Sequence, residues 1–165
     1  MGLEKNIFLT GDRGVGKSTI IRKVVEGVSH KQFCGFITFK GEDGIRIRDI
    51  VSGSEGFIGK FNDKKVLPYI ESFETIGVNA LKREGDIVIM DELGYLELEA
   101  YEFQLQVIKV LESSIPVLGV LRNEKNIFLE KVGAISEVVE VKLENRDALP
   151  EILLRKIKGL LEESI

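Results

Sequence analysis

Residues Gly11 to Thr19 read GDRGVGKST and stand directly behind the apolar run Asn6-Ile7-Phe8-Leu9-Thr10. The stretch fits the pattern GxxxxGK(S/T), in which a strand, a glycine-rich loop and a helix enclose phosphates with backbone N–H groups. The positive end of the helix that begins near Gly16 points at the same place. On this reading Gly11, Asp12, Arg13, Gly14, Val15, Gly16, Lys17, Ser18 and Thr19 form the nucleotide-binding segment. Lys17 is the point charge on the terminal phosphates, the Ser18 hydroxyl is a ligand for Mg²⁺, and Thr19 supports the turn. A nucleoside triphosphate is the expected ligand.

Outward from the loop, the order of elements predicts the rest of the fold. Ile20, Ile21, Val24, Val25 and Val28 recur at helical spacing behind the loop. Gln32 to Lys40 reads as a strand, Ile45 to Val51 alternates apolar with polar, and Gly41 to Gly44 turns the hairpin between them. Phe57 to Gly59 adds a short strand before the charged turn Asn62-Asp63-Lys64-Lys65. A helix is expected over Ile70 to Arg83, with Phe73, Gly77, Ala80 and Leu81 on one face. It leads into Asp86-Ile87-Val88-Ile89-Met90, a continuous apolar run suited to a buried parallel strand. A helix over Glu99–Glu112, a strand over Val117–Leu121, a helix over Lys125–Val132, a strand over Glu137–Val141 and a closing helix from about Asp147 complete the chain. This βα alternation predicts a three-layer α/β fold with a mostly parallel central sheet and an inserted antiparallel hairpin, the insertion spanning about 33–66.

The whole-chain properties agree. The 165 residues suit a single domain over 1–165, large enough to bury roughly 70% of its unfolded surface. A net charge of −4 gives no general attraction to nucleic acid or an acidic membrane face. One cysteine and one histidine exclude a zinc site or disulfide built from one chain. Cys34 is read as a small core residue and His30 as the end of a helix. The absence of a charged-then-apolar leader and of any stretch long enough to span a bilayer points to a cytoplasmic protein without a membrane partner. The abundance of Glu and Lys beside scarce Gln hints at heat adaptation.

The second informative element is Asp91-Glu92, at the carboxyl end of the predicted strand 86–90, where ligands bind in open α/β sheets. Acids in such a place also cap helices or sit in solvated turns. Their position downstream of a complete phosphate loop favours a catalytic pair, with Asp91 holding Mg²⁺ and Glu92 orienting a water and taking its proton. Arg122, just after the strand 117–121, should emerge on the same edge and sense the terminal phosphate. Arg46 and Arg48 are weaker candidates on the hairpin. No NKxD sequence is present to read a guanine, whereas Arg146 is placed to stack against a base of any kind. Asn145 or Asp147 as a cap for the final helix is the competing explanation of that segment.

Taken together, GDRGVGKST, Gly35-Phe36-Ile37-Thr38, IVIMDELGYLEL from Ile87 to Leu98, and Glu144-Asn145-Arg146-Asp147 resemble the thermophile-type nucleoside-triphosphatase family, called cancer-related nucleoside-triphosphatases in animals. The resemblance covers nearly the whole chain. It implies a RecA-like P-loop core, the acid after Asp91 as base, and slow Mg²⁺-dependent hydrolysis of ATP, GTP, CTP and UTP to diphosphate and phosphate. Two departures stand out: Tyr95 occupies a position that is usually basic in the family, and Phe39-Lys40-Gly41-Glu42 replaces a stretch that commonly runs from acidic to basic. A kinase for a nucleotide or small metabolite, with residues 40–65 as a basic lid, and a nonenzymatic nucleotide switch are the alternative readings.

Overall fold

A computed structural model describes residues 3–163 of the chain; the first two and last two residues of the domain expected over 1–165 lie outside the described residues. A short 3₁₀ turn (Leu3–Lys5) leads into β1 (Asn6–Thr10), and α1 (Lys17–Gly27) follows the loop. Next come β2 (Phe33–Lys40), β3 (Gly44–Asp49), β4 (Glu55–Asn62) and β5 (Lys65–Pro68). The chain then forms α2 (Ile70–Ser72), a π segment (Phe73–Gly77), α3 (Val78–Lys82) and β6 (Ile87–Leu93). It ends with α4 (Tyr101–Glu112), β7 (Val117–Leu121), α5 (Ile127–Ala134), β8 (Glu137–Glu140) and α6 (Leu149–Glu163).

All eight strands join one sheet in the order β5-β4-β3-β2-β6-β7-β1-β8. The run from β2 to β8 is parallel, and β3, β4 and β5 extend it as an antiparallel wing. β2 belongs to both parts, pairing antiparallel with β3 on one side and parallel with β6 on the other. Two differences from the sequence expectation lie in the wing. β4 runs from Glu55 to Asn62, well beyond the three residues expected, and Lys65–Pro68 is a strand where none was expected. The charged residues Asp63 and Lys64 turn β4 into β5, and Asp63 adopts the left-handed backbone (φ 56°) that a tight turn needs.

Side chains alternate between two cores along the parallel strands, as period two demands. Ile7, Leu9, Ile87, Ile89, Leu118 and Val120 face α1 and α6, where Ile20, Val24, Leu153 and Ile157 meet them. Phe8, Phe36, Val88 and Met90 face the other way, against α3, α4 and α5. Phe103 of α4 anchors that second core, edge-on to Phe36 at 5.4 Å and tilted against Phe73 at 4.9 Å between ring centroids. The expected helix over 70–83 is present but carries the π segment at its centre. The Glu74 carboxylate in that segment accepts the backbone N–H groups of Glu102 (3.3 Å) and Phe103 (2.9 Å), satisfying the first turn of α4, whose own Ala100 supplies no side-chain cap.

The wing is tied to the core by an ion pair. Asp49, at the end of β3 and 1% exposed, accepts from Arg83 Nε at 2.7 Å and from the backbone N–H of Val51 and Ser52. Burial alone would raise the Asp49 carboxyl, but Arg83 and those N–H groups outweigh it and hold the group below its ordinary value. Among the described residues no helix is long and apolar enough to cross a membrane.

Asp49→Ala is expected to lower unfolding free energy by about 1–3 kcal/mol in urea titrations at neutral pH. Because the native carboxyl titrates below its ordinary value, the difference from wild type should be complete above a pH of about 4 and fade as acid protonates the native group.

Candidate active site

The parallel order places β7 between β1 and β6. The ends of β1 and β6 therefore stand about 10 Å apart across the sheet, two strand spacings, and the loop after β1 and the acids of β6 reach toward each other over the gap, which forms a cleft. That cleft holds about 590 Å³ and is lined by Gly11, Asp12, Arg13, Gly14, Gly16, Lys17, Ser18 and Thr19 on one side and by Glu92, Arg122 and Asn123 on the other. Gly14 and Gly16 have φ of 78° and 109°, a backbone that side-chain-bearing residues rarely adopt, and this is what turns the loop into α1. Gly16 is the N-cap of α1, so the unpaired N–H groups of that helix open on the cleft. Val15 belongs to the loop through its backbone; its side chain is buried in the core with Ile20 and Val141.

Lys17 Nζ donates to the carbonyl oxygens of Gly11 at 2.6 Å and Asp12 at 3.3 Å, which holds the ammonium beneath the loop. Ser18 Oγ donates to Asp91 at 3.1 Å (Oδ2) and 3.4 Å (Oδ1), so hydroxyl and carboxylate meet across the sheet. β6 runs three residues beyond the expected end at Met90, taking both acids into the sheet. Its register against β7 slips between Asp91 and Leu93, which leaves Glu92 out of the ladder, and the Asp91–Glu92 peptide is cis. A bulge of this kind re-aims a side chain, and here it turns Glu92 to the cleft. The Glu92 backbone N–H donates instead to Thr38 Oγ1 of β2 at 3.2 Å.

Burial dominates the titration of both acids. It raises Asp91 to about 6, with the nearby Glu92 charge adding to the effect and Ser18 and Lys17 opposing it. It raises Glu92 as well, against the pull of Lys17, Arg122 and Arg13. Among the described residues no three His, Cys, Asp or Glu side chains are grouped to hold a metal by themselves. One hydroxyl beside one carboxylate, next to a glycine-rich loop, is a donor set suited to an ion that keeps waters and takes the rest of its ligands from a bound anion.

Arg122 lines the cleft opposite Lys17 and leans on two neighbours, Glu124 at 2.8 Å from Nε and the Tyr95 ring at 4.8 Å from its guanidinium carbon. The position that is usually basic in the resembled family is thus a tyrosine overlaid by a cation from the next strand. Arg146 lies apart from the acids, in a second cavity of about 350 Å³ behind the loop that it shares with Gly14, Gly16, Thr19, Lys23 and Pro150. Asn145 does not cap α6 with its side chain; that side chain closes the preceding loop, accepting from Lys142 N and donating to Glu140 O. Arg46 and Arg48 line neither cavity and rest on Phe57 and Phe39. Sequence reading missed the contact from Thr38 to Glu92, and also Glu97, a buried acid that donors and cavities place beside the site.

Residues 6–154 match the model of a family described as NTPase. The chain belongs to that NTPase family. Relatives named nucleoside-triphosphatase THEP1 include those of Thermofilum pendens, 33% identical over 95% of this chain and 97% of the relative, and Methanocaldococcus jannaschii, 35% identical over 92% and 96%. Among solved structures, that of THEP1 from Aquifex aeolicus has a TM-score of 0.79 at 24% identity and covers 93% of this chain and 99% of its own. A human cancer-related nucleoside triphosphatase has a TM-score of 0.75 at 22% identity, covering 93% and 97%. This NTPase therefore has the P-loop fold that its first strand and loop predict.

Lys17→Ala is expected to weaken binding of a fluorescent nucleoside triphosphate at least about tenfold, the loss of one charge-assisted contact to phosphate. Titration by fluorescence anisotropy, with thermal melting to check folding, measures it.

Proposed function

We propose that this protein hydrolyses nucleoside triphosphates to diphosphate and phosphate, with Mg²⁺, slowly and with broad tolerance of the base. The observation that carries the reading is the placement of Glu92: a partly buried carboxylate, fixed at its own backbone by Thr38 and aimed into the same cleft as the phosphate loop. Membership of the NTPase family and the names of the relatives support the reaction class.

The chemistry follows from which groups converge. The loop N–H groups and Lys17 hold the β- and γ-phosphates and fix the direction of the scissile bond. Ser18 and Asp91 are the residues that would hold Mg²⁺, which when bound neutralises charge on the phosphate oxygens. Glu92 accepts a hydrogen bond from a water, orients it toward the γ-phosphorus and takes its proton as the new P–O bond forms and the bond to the bridging oxygen breaks. The electron pair leaves with the diphosphate, and the proton passes from Glu92 to phosphate or solvent. Burial raises the Glu92 carboxyl above its ordinary value, against the pull of Lys17, Arg122 and Arg13, and a more basic carboxylate is a better proton acceptor. Arg122 faces the phosphates from the β7 side and balances the charge that spreads over the transferred oxygens.

Broad base tolerance is supported by the cavity behind the loop. There Arg146 offers a flat cation and Ile20 and Pro150 offer apolar contact, with Thr19 and Asp147 as the side chains able to accept from a base edge.

Glu92→Gln should bind Mg²⁺–ATP with nearly wild-type affinity and release phosphate about 10²-fold to 10⁴-fold more slowly. Wild-type phosphate release from that variant would remove Glu92 from the role of base. Chelation of divalent ions should stop wild-type turnover of ATP, GTP, CTP and UTP alike, and activity with EDTA present would count against the assignment of Ser18 and Asp91.

A further inference from the structure

Behind Glu92, on the side away from the loop, lies a small space of about 50 Å³, room for one or two waters. Glu92 and Arg122 wall both this space and the cleft, so the two meet at the base. Glu97 forms part of its far wall. Its side chain is 2% exposed, its Oε2 accepts from the Gly94 N–H at 2.9 Å, and its Oε1 has no hydrogen-bond partner. Two carbonyls of the same turn are engaged: Gly94 O accepts from Asn126 Nδ2 at 3.1 Å, and Leu93 O accepts from the Arg122 backbone N–H at 2.8 Å. An ionised carboxylate whose second oxygen is buried without a donor is costly. A neutral carboxyl fits, because Oε2 can still accept from Gly94 while a proton on Oε1 gives this cavity-lining residue a donor to offer.

We propose that Glu97 in its protonated form is a positioning residue for Glu92, its carboxyl proton hydrogen-bonding through a water in the shared cavity to the Glu92 carboxylate and so fixing the direction in which that carboxylate faces the cleft. The proposal rests on Glu92 being the base. Glu97 itself touches neither nucleotide nor attacking water.

The surroundings keep the proton in place. Burial raises the Glu97 carboxyl to about 7, and the charges of Glu92 on β6 and Glu124 on the segment after β7 add to that, against the opposing Gly94 N–H. Arg122 is the cation facing the cavity, and it is shared with Glu124 and Tyr95. As pH rises through neutrality Glu97 loses its proton. The donor to Glu92 is then gone and a second negative charge stands beside the base, so turnover falls on the alkaline side.

Glutamine separates this role from simple packing. It keeps an oxygen for the Gly94 N–H and an N–H donor for the cavity, but it cannot ionise. Steady-state kcat and KM for Mg²⁺–ATP, from about pH 5.5 to about pH 9.5, with melting temperatures, would be compared for wild type, Glu97→Gln, Glu97→Leu and Glu92→Gln. The expected result is that Glu97→Gln matches wild type at about pH 6, where Glu97 keeps its proton, and lacks the fall through neutrality that wild type shows. Glu97→Leu should lose about tenfold or more in kcat with KM little changed, the mark of an interaction that serves the transition state. An alkaline fall in Glu97→Gln equal to that of wild type would overturn the proposal, as would wild-type kcat in Glu97→Leu. If the leucine variant fails to fold, the glutamine profile decides alone. Wild-type turnover in Glu92→Gln would instead overturn the assignment of the base, and this proposal with it; loss of turnover there beside unchanged Glu97 variants would overturn only the role of Glu97.

Discussion

The hydrogen bond between Ser18 and Asp91 depends on a single constraint, the parallel ladder β1-β7-β6. That ladder brings the carboxyl ends of three strands to one edge and sets the separation between the glycine-rich loop and an acid 73 residues away in sequence. Everything in the cleft takes its position from it. Lys17 and Ser18 hang from the first turn of α1, which the β1 end starts. Asp91 and Glu92 extend β6, and Arg122 leaves the end of β7 between them. Moving any one strand by a residue would turn its side chains to the opposite face and separate these groups.

The two cores explain why the ladder is held so firmly. Alternate residues of β1, β6 and β7 are claimed by helices on opposite faces, so register is specified twice over. The glutamate that caps α4 from the π segment ties two helical segments together, and the Asp49–Arg83 pair connects the antiparallel wing to this frame. The wing also enters the apolar core itself, through Ile47 of β3 and Ile58 of β4, which are buried in the same cluster as Phe36 and Phe103.

The sequence was most legible where a local pattern and a tertiary role coincide. GDRGVGKST announces its own backbone shape, the glycine turn that starts α1, and Val117–Leu121 is an apolar run suited to a buried strand. The wing was less legible. Lys65-Val66-Leu67-Pro68 has four residues with exposed ends and a proline, and it becomes a strand only because β4 supplies a partner. The extension of β6 through Asp91 and Glu92 was hidden for a related reason: two acids end an apolar period, and only the sheet neighbours keep the chain extended there. Glu97 carried no local signal. One glutamate in Leu96-Glu97-Leu98 reads as a solvated turn, and its burial arises because Gly94, Asn126 and the strand ends close over it.

The sheet ends in β5 on one side and β8 on the other, and the two strands have four residues each. β5 begins with Lys65 and finishes with Pro68; β8 begins and finishes with glutamate. A second chain that tried to add a strand at either border would find little backbone to pair with, a proline that donates nothing at one, and like charges facing one another at the other. An eight-stranded sheet with long apolar borders would be an invitation to fibrous self-association on heating. Short, charged borders let this one remain large inside and inert at its rims.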